Sequence, residues 1–85
     1  MERNLVWCVK TYIVDDCETI TNEMRLFYSK EKAKSVFDSI VEEERKMVES
    51  KGWEIDEDEF SFEAYEEGYY TQNHSCIDLS PIEIE

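Results

Sequence analysis

The sequence predicts an α+β domain of order β-β-α-β-β, in which one amphipathic helix packs on an antiparallel sheet. Three patterns predict it. Apolar residues alternate with polar ones through residues 5–28, recur at helical spacing through 30–51, and alternate again from 59 to 79. Eighty-five residues suit one domain. A content of 41% hydrophobic and 13% aromatic residues supplies a core, although a net charge of −13 opposes compaction.

Residues 1–29 read as a β-hairpin. Leu5 to Val14 is rich in β-branched and aromatic residues, with Leu5, Trp7, Val9, Thr11 and Ile13 on one face. Its other face, Val6, Cys8, Lys10, Tyr12 and Val14, is also largely apolar, so this strand is expected inside the sheet and partly covered on both sides. Asp15-Asp16-Cys17 supplies the turn, since Asp side chains bond nearby amides. From Glu18 to Tyr28, period-two counting puts Ile20, Met24, Leu26 and Tyr28 on one face and Thr19, Thr21, Glu23 and Arg25 on the other.

Residues 30–51 read as the helix. Ser29 is a favoured N-cap, and Gly52 tolerates the left-handed conformation that ends a helix. Ala33, Val36, Phe37, Ile40, Val41, Met47 and Val48 form its apolar face, and Trp53 and Ile55 can fold back onto the last turn. Residues 53–85 read as a second hairpin, acidic and aromatic-rich. Phe60, Phe62 and Ala64 alternate up to a turn at Glu66-Glu67-Gly68, and Ser75, Ile77 and Leu79 alternate on the return. Pro81 places the last residues on a sheet edge or beyond it.

The charge is uneven. Residues 1–51 hold eleven acids and nine bases, whereas residues 52–85 hold eleven acids and no Lys or Arg. The second segment also carries six of the eleven aromatics. Carboxylates spaced along a rigid hairpin can stand in for phosphates, and Tyr rings add contact area at low entropic cost. The expected electrostatic set is Glu54, Asp56, Glu57, Asp58, Glu59, Glu63, Glu66 and Glu67, with Tyr65, Tyr69 and Tyr70 as anchors. A plainer reading stands beside it, in which Phe60 and Phe62 are core and the acids only solvate a surface.

Charge also sorts partners. Affinity for phosphate backbones and anionic lipid comes from Lys and Arg, so neither nucleic acid nor a membrane surface is an expected partner. A basic protein surface is the expected complement. Three cysteines, Cys8, Cys17 and Cys76, lack the even set of a disulfide framework, and the first residues do not read as a signal peptide. Free thiols in a cytoplasmic location are expected.

Other chemistries have weak support. In a calcium comparison Asp56 and Asp58 take loop positions 1 and 3 and Glu67 position 12. Phe60 then replaces a ligand and Ser61 the required glycine, which leaves weak divalent-cation binding. Cys8, Cys17, His74 and Cys76 lack the paired spacing of a zinc site. One histidine, two glycines and no nucleophile motif give no catalytic constellation. No enzyme activity and no cofactor are expected.

From Ser29-x-Glu31-Lys32-Ala33 into the helix, then Phe62-Glu63-Ala64-Tyr65-Glu66-Glu67-Gly68-Tyr69 through Asn73-His74, the chain resembles short acidic proteins encoded by phages and prophages. In size and charge it is similar to anti-CRISPR and anti-restriction inhibitors. That resemblance implies a non-catalytic protein that covers the nucleic-acid-binding surface of a host defence protein; it transfers no individual residue. The alternatives are a small assembly protein that homodimerises through a sheet edge, with the C-terminal strand open, and a weak metal-binding module.

Overall fold

A computed structural model of the chain describes residues 4–69 and 72–84. Its elements are β1 (Asn4–Asp15), β2 (Glu18–Phe27), α1 (Lys30–Lys51), β3 (Glu54–Asp58), β4 (Ser61–Tyr65) and β5 (His74–Ile84). The expected α+β order is present with one strand more. The five strands form one antiparallel sheet of order β2-β1-β5-β4-β3, with α1 lying over β5, β1 and β2. The helix therefore carries the chain from one edge strand to the other.

Local chemistry explains each boundary. Asp16 and Cys17 both sit at positive φ, 54° and 68°, as the two-residue turn matched to strand twist requires. Asn73 locks this tip, since its Oδ1 accepts from the Asp16 amide at 2.8 Å, and the Cys17 amide donates to the Gln72 carbonyl at 3.0 Å. Ser29 Oγ accepts from the Lys32 amide at 3.2 Å to open the helix. Gly52, at φ 73°, closes it, with the Trp53 amide donating to Val48 O at 3.1 Å.

The core lies between α1 and one sheet face. Ala33, Phe37, Val41 and Val48 of the helix meet Val9, Phe62, Ala64, Ile77 and Leu79, and Trp53 folds back among them. Trp7, Phe27, Ile40 and Ile55 seal its rim. Met47, expected on this face, is 52% exposed, because the buried positions run Phe37, Val41, Glu44, Val48 and leave residue 47 to the side. Phe60 is also not core. It sits in the β3–β4 turn, where the ammonium groups of Lys30 and Lys34 each lie 5.5 Å from its ring centre.

Three further expectations change. Residues 53–85 are not a hairpin, because β3 makes them a three-stranded meander. Their last strand is interior: β5 pairs with β1 from Asn4↔Ile84 to Val14↔His74, so the sheet's edges are β2 and β3 and not the C-terminal strand. β4 covers β5 only over His74–Asp78, which leaves Pro81 on a stretch with one open side, where its missing N–H costs no ladder bond. A β-bulge at Ile20 shifts the register, pairing Thr19 with Val14 while Thr21 pairs with Ile13. Thr19 is thereby moved off the face that counting by twos assigns it.

Candidate interaction surface

Because α1 covers one sheet face, the other is open, and the strand registers fix its composition. One row across the strands reads Asp56, Glu63, Cys76, Tyr12, Asn22; the next reads Asp58, Ser61, Asp78, Lys10, Met24. A third begins Glu54, Tyr65, His74, Val14. The open face is thus acidic towards β3 and apolar towards β2, where Met24, Leu26 and Tyr28 are exposed. On β1, Val6, Cys8 and Val14 are buried although no helix covers this side.

The structure brings together some of the expected acidic set and separates others. Glu54, Asp56 and Asp58 alternate along the edge strand, about 6.8 Å apart along the chain. Glu59 follows in the turn, and Glu67 lies exposed in the β4–β5 loop. Glu57 points the other way, to the helix side, where its carboxylate forms a bidentate pair with Arg45. The Nη2–Oε2 arm is 2.6 Å, and this hydrogen bond holds the Glu57 carboxyl below its ordinary range and raises the Arg45 guanidinium.

Asp58 is half committed to the turn. Its Oδ1 accepts from the Phe60 amide at 2.9 Å, and that bond together with the Ser61 hydroxyl lowers its pKa. Glu63 lies 3.2 Å from His74 Nε2, and Glu66 accepts from Asn73 Nδ2 at 3.0 Å. Among the described residues, the carboxylates of Glu54, Asp56, Glu59 and Glu67 have no hydrogen-bond or ion-pair partner. Of the expected anchors, Tyr69 is 55% exposed and Tyr65 is half-buried opposite His74. Tyr70 lies outside the described residues.

The candidate ligand set does not converge. Cys8 is buried, Cys17 sits exposed in the hairpin turn and Cys76 is half-buried on the open face. Among the described residues no three His, Cys, Asp or Glu side chains form a group that could hold a metal. Nor is any helix there long and apolar enough to cross a membrane.

Cys76 is shielded chemically. Burial first, then the Asp78 and Glu63 charges, push its thiol up to about 11, and its Sγ lies 3.5 Å from Asp78 Oδ2. In a Cys17→Ser variant, alkylation at Cys76 is expected to stay slow until the pH approaches 11. The folded value is raised above the unfolded one, so the associated stability is complete below about 9 and lost as pH rises through about 11. Rapid alkylation of the folded protein at neutral pH would contradict this.

One polar group on the helix side was not anticipated. Glu44 is buried, and Ser75 Oγ donates to its Oε2 at 2.5 Å, with the Thr11 side chain buried nearby on β1. Glu44 also borders a depression of about 280 Å3, lined with Thr11, Ile13, Thr21, Arg25 and Ile40 among others. Its signal was in the sequence: residue 44 falls four after Ile40 and four before Val48, an acid at a core phase.

No protein-family model, curated protein or solved structure matches the chain.

Proposed function

We propose that this chain is a non-enzymatic binding protein that lays its acidic edge against a basic protein surface of the kind that holds nucleic acid. One observation carries the reading. Four carboxylates of the β3 edge and its flanking loops, Glu54, Asp56, Glu59 and Glu67, have no hydrogen-bond or ion-pair partner among the described residues, in a segment with eleven acids and no Lys or Arg. Unpaired like charges on a rigid strand raise the energy of the free protein, and a basic partner relieves that repulsion. Tyr69, two residues beyond Glu67, adds an exposed aromatic contact. The resemblance to phage-encoded inhibitors such as anti-CRISPR proteins supplies the class of partner, a host defence protein whose nucleic-acid-binding surface is occupied.

The test uses these four acids, whose side chains make no hydrogen bond or ion pair among the described residues. The chain is expected to capture basic nucleic-acid-binding proteins at low salt, and added duplex DNA is expected to compete. The quadruple variant Glu54→Lys, Asp56→Lys, Glu59→Lys, Glu67→Lys is expected to bind at least about 100-fold more weakly while remaining folded. Capture that survives the quadruple reversal, or that DNA does not compete, would refute the reading.

A further inference from the structure

We propose that the β2 edge is a self-association site, at which two copies pair antiparallel about a two-fold axis centred on Met24. The two edges of the sheet are treated oppositely. β3 is five residues long and four of them are acidic, which blunts pairing with another strand. β2 runs for ten residues, ETITNEMRLF, without Pro, Gly or Lys, and its exposed Met24 and Leu26 lie on the open face.

Charge fixes the register. Opposed residues of an antiparallel pair point to the same face, so a two-fold axis normal to the sheet must pass beside one residue and its own copy. Centring on Glu23 or Arg25 sets like charges against each other. Centring on Asn22 or Leu26 leaves both charges facing uncharged residues. Only centring on Met24 opposes Glu23 to Arg25 of the second copy, twice by symmetry, at Cβ separations of about 5 Å. The same register sets Met24 against Met24, Asn22 against Leu26 and Thr21 against Phe27.

Seven residues of each strand then pair, from Thr21 to Phe27, with about six to eight backbone hydrogen bonds. Glu23 and Arg25 are both exposed, and among the described residues neither makes a hydrogen bond or ion pair, so nothing internal is broken. Long-range charge permits the approach. Five of the eleven acids after Gly52 lie on β3 and its turn, at the opposite edge of the sheet, and residues 1–51 have a net charge of only −2. Screening at physiological salt, with a Debye length of about 8 Å, leaves the distant acids little influence at the β2 edge. Such a dimer is one ten-stranded sheet with an acidic β3 edge at each end.

The measurement is sedimentation equilibrium of the full chain at about 0.15 M salt, from about 1 to 200 μM, a range set by micromolar pairing. The wild type is expected to approach twice the 10.2 kDa mass of one chain. Arg25→Glu and Glu23→Arg, each checked for folding by circular dichroism, are each expected to weaken the dimer at least about tenfold. The exchange Glu23→Arg with Arg25→Glu restores opposite charges in this register and is expected to return affinity to within about threefold of wild type. A wild type that stays monomeric throughout overturns the proposal. So does a dimer indifferent to both single changes, or an exchanged variant no tighter than either one. None of these readouts involves a basic partner, so failure here leaves the acidic-edge reading standing, and the reverse also holds.

Discussion

Phe62→Ala is expected to cost about 3–5 kcal/mol and to leave the chain largely unfolded at physiological temperature. Phe62 is fully buried in β4, paired with Ile77 on one side and Glu57 on the other. Its ring also takes the Arg45 guanidinium at 5.7 Å, so truncation removes the floor beneath the Arg45–Glu57 pair as well. A domain of this size has total stability on the order of 5–10 kcal/mol, so one such cavity consumes much of it. Phe60→Ala is the built-in control. That ring is 36% exposed in the turn and meets chiefly lysine ammonium groups, so a loss of about 1 kcal/mol is expected. Chemical denaturation of the two variants checks the contrast. Comparable losses would show that the turn contributes as much as the buried β4 position and would refute the contrast.

The contrast between these two phenylalanines marks where local pattern stops carrying information. Counting by twos puts Phe60, Phe62 and Ala64 on one face, and it is right for the residues inside β4. It cannot see that the strand begins at Ser61, because the turn is set by Asp58 capping the Phe60 amide. β3 was hidden for a related reason. Its sequence EIDED has a single apolar residue and reads as a charge run. What makes it a strand is remote: Ile55 seals the core rim beside Ala64, and Glu57 is held by Arg45.

The helix was legible to the residue because its signals are local. Ser29 and Gly52 each act within one turn of the chain, through the Lys32 amide and the Val48 carbonyl. Strand order was not legible. Nothing in the spacing of Ser75, Ile77 and Leu79 tells that β5 inserts between β1 and β4, since periodicity fixes a face and not a neighbour. That insertion is what makes the open face acidic at one end and apolar at the other. The composition of the acidic set could be read from the chain, but its division between an edge, a turn and a helix-side ion pair required the register.

Ser75→Ala is expected to destabilise the fold by about 1–3 kcal/mol, more than removing a hydroxyl from an apolar site would cost. The reason is what it leaves behind. Glu44 is buried on the core side of α1, and the Ser75 hydroxyl is its hydrogen-bond partner across the helix–sheet interface. Deleting that donor strands a carboxylate in surroundings that solvate it poorly. The paired change Glu44→Leu with Ser75→Ala removes both polar groups and adds apolar area among Val41, Val48 and Ile77, so its stability is expected to equal or exceed that of the wild type. The single variant should therefore be the less stable of the two, although it differs from the wild type by one atom. A Ser75→Ala loss below about 0.5 kcal/mol would show instead that the depression beside Ile40 and Thr11 admits enough water to hydrate the Glu44 carboxylate.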